Sequence, residues 1–569
     1  MVNDSDLTII DKLREERKLA VEAGTAPDWL TTNGYQLFQS KYVLPGETVK
    51  STFERIAKAA AKHLPEDIQG QAESKFFQML WNGWLALATP VLANMGTARG
   101  CPVSCSGGYV EDSIYGFYDA QLETAILTKN GFGTSSYLGN IRPRGAPIAS
   151  GGHASGTLTV LKDFVQLSRD VSQGNTRRGA WAGYIEIDHP DFFEIVEHMY
   201  SNPDDLNIGW IVSKAFIARL EANDPDAIRR WKRAMKTKCV TGKGYLFKVD
   251  HVNDQNPPMY AAHDLSVKAS NLCTEITLHS DADHTFTCVL SSMNASKYDE
   301  WKNTDSVFWA TIFLDCVAEE FITLGRNIRG LERAVRATEK GRALGLGLLG
   351  YHTYIQSHMI PFEQSADINI EIFKHLDDES LRASKYMAEV MGEPEWCRGF
   401  GVRNTHRLAV APNTSSALIC GGVSQGIEPV VENVYNQATA AGEMERVNPA
   451  FIAFAKSRGK WTKALAKNII DTNGSVQHVD WMTPHEKDVF KTAFEIDQYS
   501  ILKLASARQK YIDQAQSINL FFGADAHEAH ISRVHRYGLM DDNIKSLYYM
   551  RSKAGISAAR ESTCESCEG

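Results

Sequence analysis

Apolar residues recur at helical spacing over residues 4–22, where Leu7, Ile10, Leu13 and Leu19 follow a capping Asp4 or Ser5. The same pattern returns from Ser51 to His63 through Phe53, Ile56, Ala57 and Ala60. Residues 1–85 therefore read as a helical region. From Ala88 onward, glycine-rich turns, short apolar runs and longer helices alternate for more than 400 residues, which predicts an α/β architecture. Val307–Leu324, Ile368–Met391 and Ala493–Gln514 read as helices, and SINLFF at 517–522 as a buried strand. Without a proline-rich linker or an internal repeat, residues 86–555 read as a single large domain. The segment 556–569, ending SAARESTCESCEG, is small and charged and reads as a mobile tail.

Composition narrows the possible partners. The 569 residues are 43% hydrophobic and 23% charged, as in ordinary globular proteins. The net charge of −9, with both signs interspersed, supplies no one-sided positive field, so a polymeric nucleic acid is not expected as a partner. Small phosphorylated ligands stay open, since backbone amides and one or two arginines suffice to hold them. The start MVNDSDLTIIDKLREERK lacks the features of an export signal, and no apolar run reaches the ~20 residues that span a bilayer. A cytoplasmic chain without a membrane segment is expected.

Four motifs carry candidate chemistry. In SNLCTEITL, an extended backbone would place Asn271, Cys273 and Glu275 on one face, opposite Leu272, Thr274 and Ile276. A carboxylate beside a thiol can act as a general base, and an amide can fix a hydroxyl. The plainer alternative is a half-buried strand with an incidental polar face. Cys564 and Cys567 form a C-x-x-C two residues from the C-terminus. That spacing suggests disulfide exchange, and zinc is disfavoured because no second C-x-x-C or histidine pair completes a tetrahedral site. The tail beyond Lys553 could reach ~50 Å when fully extended, enough to carry reducing equivalents into a cleft. In VAPNTSSALICGG, Asn413, Thr414, Ser415 and Ser416 precede an apolar stretch, which suits either a phosphate at a helix start or an ordinary N-cap. Tyr548 and Tyr549 are adjacent in KSLYYMRSK. In a strand they would divide between core and surface, whereas stacked phenols could relay one-electron oxidation.

Together and in this order, the motifs resemble the large, catalytic subunit of class I ribonucleotide reductases, over nearly the whole chain from about residue 30. The resemblance implies a ten-stranded α/β barrel of two antiparallel five-stranded halves around a finger loop. It implies reduction of ribonucleotides, with ribonucleoside diphosphates as the expected substrates. Cys273 matches the cysteine whose thiyl radical abstracts the ribose 3′ hydrogen, Glu275 the base for the 3′ hydroxyl, and Asn271 the group that holds the substrate hydroxyls. The reducing thiols match Cys105, in CPVSCSGGYVEDSI, and Cys288, in FTCVLSSMNAS. Cys101 is a nearby rival to Cys105, and Thr89–Pro90, fifteen residues ahead of Cys105, favours the latter. Cys564 and Cys567 would reduce the resulting disulfide, and thioredoxin or glutaredoxin would renew them.

The resemblance further places substrate phosphates on Asn413, Thr414, Ser415 and Ser416, assisted by Thr89 and the loop Asn130–Gly131. Many relatives carry glutamate where this chain has Asn413. Tyr548 and Tyr549 match the pair that passes the radical from a small subunit. No metal or cofactor is assigned to this chain, which has no iron–sulfur or haem motif, so a ferritin-like partner with a dimetal site of iron or manganese is the implied oxidant. A specificity site for a deoxynucleotide or ATP, at the interface of a homodimer, maps to Asp112, Ser113, Ile114 and Arg142. Gln173 and Arg177, with Arg178 as an alternative, lie on the loop 172–180 that would relay effector identity. Barrel-like sequence from about residue 30 leaves no room for the ~90-residue ATP-cone of many relatives, so inhibition by dATP through such a cone is not expected. Two rivals stand beside this reading: a reductase that uses adenosylcobalamin, and a nucleotide-sensing barrel without catalysis.

Overall fold

Helices α1 (Asp4–Glu22), α2 (Thr32–Lys41), α3 (Val49–Ala61) and α4 (Glu66–Trp81) open the computed structural model, which describes residues 4–173, 179–439 and 442–552. Helix α3 starts two residues ahead of the expected Ser51 because Thr48 and Ser51 form a reciprocal capping box. Its buried face includes Phe53, Ile56, Ala57 and Ala60, as its periodicity requires. Phe76 of α4 meets Phe313 edge-on at 5.2 Å, which joins this region to the long helix Ser306–Gly325. The helix Ala366–Met391 also matches its pattern. The third expected helix is shorter than Ala493–Gln514 and runs from Gln498 to Gln509. Asp497 caps it at the Tyr499 amide, and beyond Gln509 the chain turns to lead Gln514 into the interior.

Short strands then close on themselves. Strand β1 (Leu85–Leu87) is followed by β2 (Cys105–Tyr109), β3 (Gly133–Tyr137), β4 (Trp181–Glu186), β5 (Ile208–Ile211) and β6 (Tyr245–Phe247). Strands β2 to β6 pair in parallel, each with the next. Strands β7 (Phe286–Asn294) and β8 (Leu344–Leu349) begin a second parallel group. It continues through the bridge Leu346↔Leu408 and the bridge Val410↔Gln516. After the hairpin β9 (Val434–Thr439) and β10 (Gly442–Val447), the group ends with β11 (Leu520–Phe522) beside β13 (Met550–Ser552). Between the last two comes β12 (Ser546–Leu547), which pairs antiparallel with β6, while β2 pairs antiparallel with β7. The circuit is the expected ten-stranded barrel, two parallel groups of five set antiparallel to each other. The SINLFF segment is one of its staves.

Helices cover the outer face, so these strands are buried on both sides and read as short apolar or small-residue runs. Small residues face inward where the interior must hold more than side chains. A Cβ at Gly345 would come within 2.8 Å of the Cys288 sulfur, so glycine there leaves room for the thiol. Into this space the chain between β6 and β7 sends the loop 267–279, whose root closes with an antiparallel bridge between Val267 and His279. Among the described residues, no helix is long and apolar enough to cross a membrane.

One buried ion cluster fastens the outer layer. Asp315, on the helix Ser306–Gly325, accepts from Arg342 Nε and Nη2 at 2.8 Å, and from Arg403 Nε and Asn404 Nδ2 at 3.0 Å. Burial alone would raise its pKa, yet the two guanidiniums hold the carboxyl well below the usual carboxylate range. Its contribution to stability is therefore present above the ordinary aspartate pKa and persists into strong acid. The Asp315→Asn substitution leaves Arg403 without its anion and Arg342 with Glu319 alone. A loss of about 3–5 kcal/mol of stability is expected in urea unfolding, as for breaking other buried ion pairs.

Candidate active site

A loop inside a barrel has no ladder to satisfy its backbone, so each buried carbonyl needs a donor from elsewhere. Here barrel side chains supply them. Ser135 Oγ donates to Ser270 O at 2.8 Å, Tyr184 Oη to Asn271 O at 2.6 Å, and Ser517 Oγ to Cys273 O at 2.6 Å. Ser546 Oγ donates to Thr274 O at 2.9 Å, and the Ala515 amide to Glu275 O at 2.9 Å. Donors drawn from both halves of the barrel thus fix the tip. Residues 271–275 form a turn and not the extended segment expected from alternation, and Thr274 sits at φ +69°. A β-branched residue in that region is strained, and its buried surroundings hold it there. The turn still gathers the three expected side chains: Asn271 Nδ2 donates to Glu275 Oε1 at 2.9 Å. Burial raises the Glu275 carboxyl to about 7, against the hydrogen bonds from its own backbone amide and Asn271 that favour its charge, while Ser517 Oγ, whose hydrogen goes to Cys273 O, lies 2.9 Å from Glu275 Oε2.

The two other candidate thiols stand on facing strands. Cys105 of β2 and Cys288 of β7 are direct partners in the antiparallel register. Asn271 Nδ2 also donates to Cys105 Sγ at 3.3 Å, which links the pair to the finger tip. Gln514 Nε2 donates to Cys288 Sγ at 3.4 Å, and burial keeps that thiol protonated. Cys101 is buried in the main core beside Asn94, away from this group. Tyr548 Oη donates to Cys273 Sγ at 3.3 Å. Its ring lies 4.3 Å from that of Tyr549, and both rings are buried, so the division between core and surface expected of a strand does not occur. Tyr245 packs against both, at 4.7 and 5.1 Å, and Arg551 lies 4.5 Å over the Tyr549 ring.

Around the tip opens a cleft of about 810 Å³, lined by Thr89, Cys105, Cys273, Glu275, Tyr548 and the segment Pro412–Ser416, among others. Asn413 precedes the short helix Thr414–Ile419 without a side-chain cap bond, and the first amides of that helix have no intrahelical acceptor. Ser416 is committed to structure, because its hydroxyl donates to Leu87 O at 2.8 Å. Asn413 Oδ1 accepts from Ser292 at 3.1 Å. Asn130 and Gly131 do not line this cleft. Asn130 ends helix α6 (Ile114–Lys129), with its carbonyl accepting the Cys101 amide, and Gly131 lies beside Gln173 and Asn94. Sequence reasoning placed them on the phosphates because a loop's direction is not visible in its residues.

At the start of α6, Ser113 caps the Gly116 amide, and Arg142 Nε donates to Asp112 at 2.7 Å. Ile114 is 67% exposed, and Tyr115, Tyr118 and Leu122 continue an exposed apolar stripe along the same helix. Gln173 is buried, with Nε2 donating to Asn94 Oδ1 at 3.3 Å. Arg177, Arg178, Cys564 and Cys567 lie outside the described residues. The residues that sequence reasoning missed are Ser135, Tyr184, Tyr245, Gln514, Ser517, Ser546 and Arg551. Ser517 lies in SINLFF, and Ser546 and Arg551 lie in KSLYYMRSK, whereas nothing in the spacing marks the others.

The family description "Ribonucleotide reductase, barrel domain" matches residues 103–229, 224–400 and 394–550, and "Ribonucleotide reductase, all-alpha domain" matches 28–100. A putative ribonucleoside-diphosphate reductase large subunit of Frog virus 3 is 33% identical over 86% of this chain and 91% of its own length. The ribonucleoside-diphosphate reductase large subunit of Invertebrate iridescent virus 3 is 28% identical over 94% of this chain and 98% of its own. The solved structure of an Actinobacillus ureae class Id ribonucleotide reductase alpha subunit superposes with a TM-score of 0.86 at 37% identity. It covers 93% of this chain and 98% of that one.

The raised Glu275 carboxyl has a measurable signature. Its folded pKa of about 7 exceeds the ordinary 4.5, so folding favours the neutral form. Its contribution is complete below pH 4.5 and is lost as pH rises through about 7. Compared with Glu275→Gln, the wild type should lose stability over this window in urea titrations and run parallel above it. Parallel behaviour across the whole range would place the carboxyl at an ordinary pKa.

Proposed function

Since the chain belongs to the ribonucleotide reductase large-subunit family, it reduces ribonucleotides to 2′-deoxyribonucleotides, and we propose that Cys273 does so through a thiyl radical on ribonucleoside diphosphates. The observation that carries this reading is the contact of Tyr548 Oη with Cys273 Sγ at 3.3 Å, in the cleft that Cys105 and Glu275 also line. A dimetal site in the small subunit of such an enzyme supplies the one-electron oxidant. Tyr549 and Tyr548 receive the oxidation in turn, and Cys273 loses its hydrogen to the Tyr548 oxygen. The sulfur then abstracts the ribose 3′ hydrogen, while Glu275, poised near neutrality, takes the proton of the 3′ hydroxyl. Asn271 orients the hydroxyls. The 2′ hydroxyl departs as water with a proton from the Cys105–Cys288 pair. That pair gives up two electrons and closes as a disulfide as its other hydrogen passes to C2′, Glu275 returns its proton to the 3′ oxygen, and Cys273 returns its hydrogen to C3′. Cys564 and Cys567 then exchange with the disulfide and are renewed by thioredoxin or glutaredoxin, in keeping with a reducing cytoplasm.

The first-turn amides of Thr414 and Ser415, with Thr89, suit the diphosphate. Contact of the Tyr548 and Tyr549 rings at 4.3 Å favours supply of the oxidant by a small subunit over adenosylcobalamin. The exposed stripe Ile114, Tyr115, Tyr118 and Leu122 suits burial against a second copy. Asp112, Ser113 and Arg142 would then hold an effector nucleotide beside that seam, with Gln173 and Arg177 relaying its identity.

With a purified small subunit, turnover of the four ribonucleoside diphosphates is expected to exceed that of the triphosphates. Cys273→Ser should abolish it while substrate still binds. Cys105→Ser and Cys288→Ser should each stop dithiol-supported turnover. Full activity of Cys273→Ser would overturn the assignment, and activity with adenosylcobalamin alone would replace the partner.

A further inference from the structure

The turn that joins the finger to β7 carries a cluster that nucleotide reduction does not use. His279, Asp281 and His284 bring one donor atom each within 4.8 Å of one another. Asp281 Oδ2 lies 2.9 Å from His279 Nε2, and its other oxygen, Oδ1, lies 2.9 Å from His284 Nδ1. One carboxylate is thus held between two imidazoles. Trp396 braces both rings, at centroid separations of 6.0 and 5.3 Å.

The hydrogens of a neutral His279 do not satisfy all of its neighbours. Its Nδ1 lies 2.8 Å from Ser266 O and 3.2 Å from Ser266 N, and its Nε2 faces the Asp281 carboxylate. A neutral imidazole has one N–H. Placed on Nδ1, that hydrogen satisfies Ser266 O and leaves the Nε2 lone pair against a carboxylate oxygen at 2.9 Å. Placed on Nε2, it leaves the Nδ1 lone pair against Ser266 O at 2.8 Å. In either neutral tautomer two acceptors face each other at hydrogen-bond distance, so the site calls for a second proton on His279 or for a cation that takes that proton's place. The nearby guanidiniums turn elsewhere: Arg333 Nη1 donates to Ala282 O and Arg336 Nη1 to Asp283 O.

We propose that this turn binds a divalent transition-metal ion of the zinc type through His279 Nε2, Asp281 and His284 Nδ1. With bonds of about 2.0–2.2 Å, neighbouring ligands of one tetrahedral ion stand roughly 3.3–3.6 Å apart, so the 2.9 Å separations seen here need open by only a few tenths of an ångström when an ion replaces the shared hydrogens. The bond from His279 Nδ1–H to Ser266 O is the backbone contact that fixes the tautomer of a metal-bound histidine. Two imidazoles select a transition metal over calcium or magnesium. The Asp281 side chain is 42% exposed, so water can complete the coordination. Its position gives the ion a structural task. Ser266 and His279 form the root of the finger, and His284 leads into β7, which carries Cys288. An ion here ties the base of the loop bearing Cys273 to the strand bearing its redox partner.

The test uses the full chain with Cys564→Ser and Cys567→Ser, so that the tail thiols do not compete. After chelation and dialysis it is titrated with Co(II), followed by visible absorption, and with Zn(II) against a chromophoric chelator. One ion per chain is expected, with a d–d spectrum free of thiolate charge transfer. Asp281→Asn, at a half-exposed position that should not disturb folding, and His284→Gln should each weaken binding by ~10-fold or more. Absence of a stoichiometric site, thiolate bands, or unchanged affinity in both variants would overturn the proposal.

Discussion

The finger survives inside the barrel because its backbone carbonyls find donors there. Hydroxyls of Ser135, Tyr184, Ser517 and Ser546 reach four consecutive or nearly consecutive carbonyls, at Ser270, Asn271, Cys273 and Thr274. An unpaired buried carbonyl costs about 1–3 kcal/mol, so four of them would melt the loop. Those same bonds hold Thr274 in its left-handed conformation and thereby bring Asn271 and Glu275 into contact on either side of Cys273. Geometry at the sulfur is a consequence of barrel chemistry, and the chemistry of the barrel's strands is in turn dictated by the loop.

Burial then sets the protonation of Glu275 and Cys288. Removing water raises Glu275 to about 7 and keeps Cys288 a thiol, so a carboxyl near neutrality and a protonated thiol are both held inside the barrel. The antiparallel register of β2 on β7 places Cys105 opposite Cys288, which is the relation that lets two strand cysteines join by modest side-chain rotation. Lys238, itself buried, donates to Tyr548 O at 2.6 Å and to Gly244 O at 2.9 Å. It fixes the stave on which the tyrosines ride.

Periodicity made the helices at Val307–Leu324 and Ile368–Met391 legible, because a long amphipathic or buried helix repeats its signal. Alternation of strands and helices gave the α/β class, and the order of four motifs gave the barrel and its finger. Local geometry was less accessible. Residues 271–275 carry the alternation of a strand yet form a turn, since hydroxyls distant in sequence override local preference. Asn130–Gly131 has the look of a phosphate loop, but its direction is fixed by the Cys101 amide and by Gln173. Tyr548 and Tyr549 both go inward because the barrel wall meets the finger on one side and Tyr245 on the other. The donors at Ser135, Tyr184 and Gln514 left no trace in spacing, because each acts through a contact more than 80 residues away in sequence.

The whole account depends on the bond between one phenol and one thiol. Tyr548→Phe removes a single oxygen and keeps the ring that packs on Tyr549 and Tyr245. The most direct measurement is turnover of this variant with the small subunit, alongside electron paramagnetic resonance of the mixture and substrate affinity. The account predicts unchanged substrate binding, a persistent radical on the small subunit and turnover reduced to background. Turnover close to that of the wild type would show that oxidation reaches Cys273 by another route.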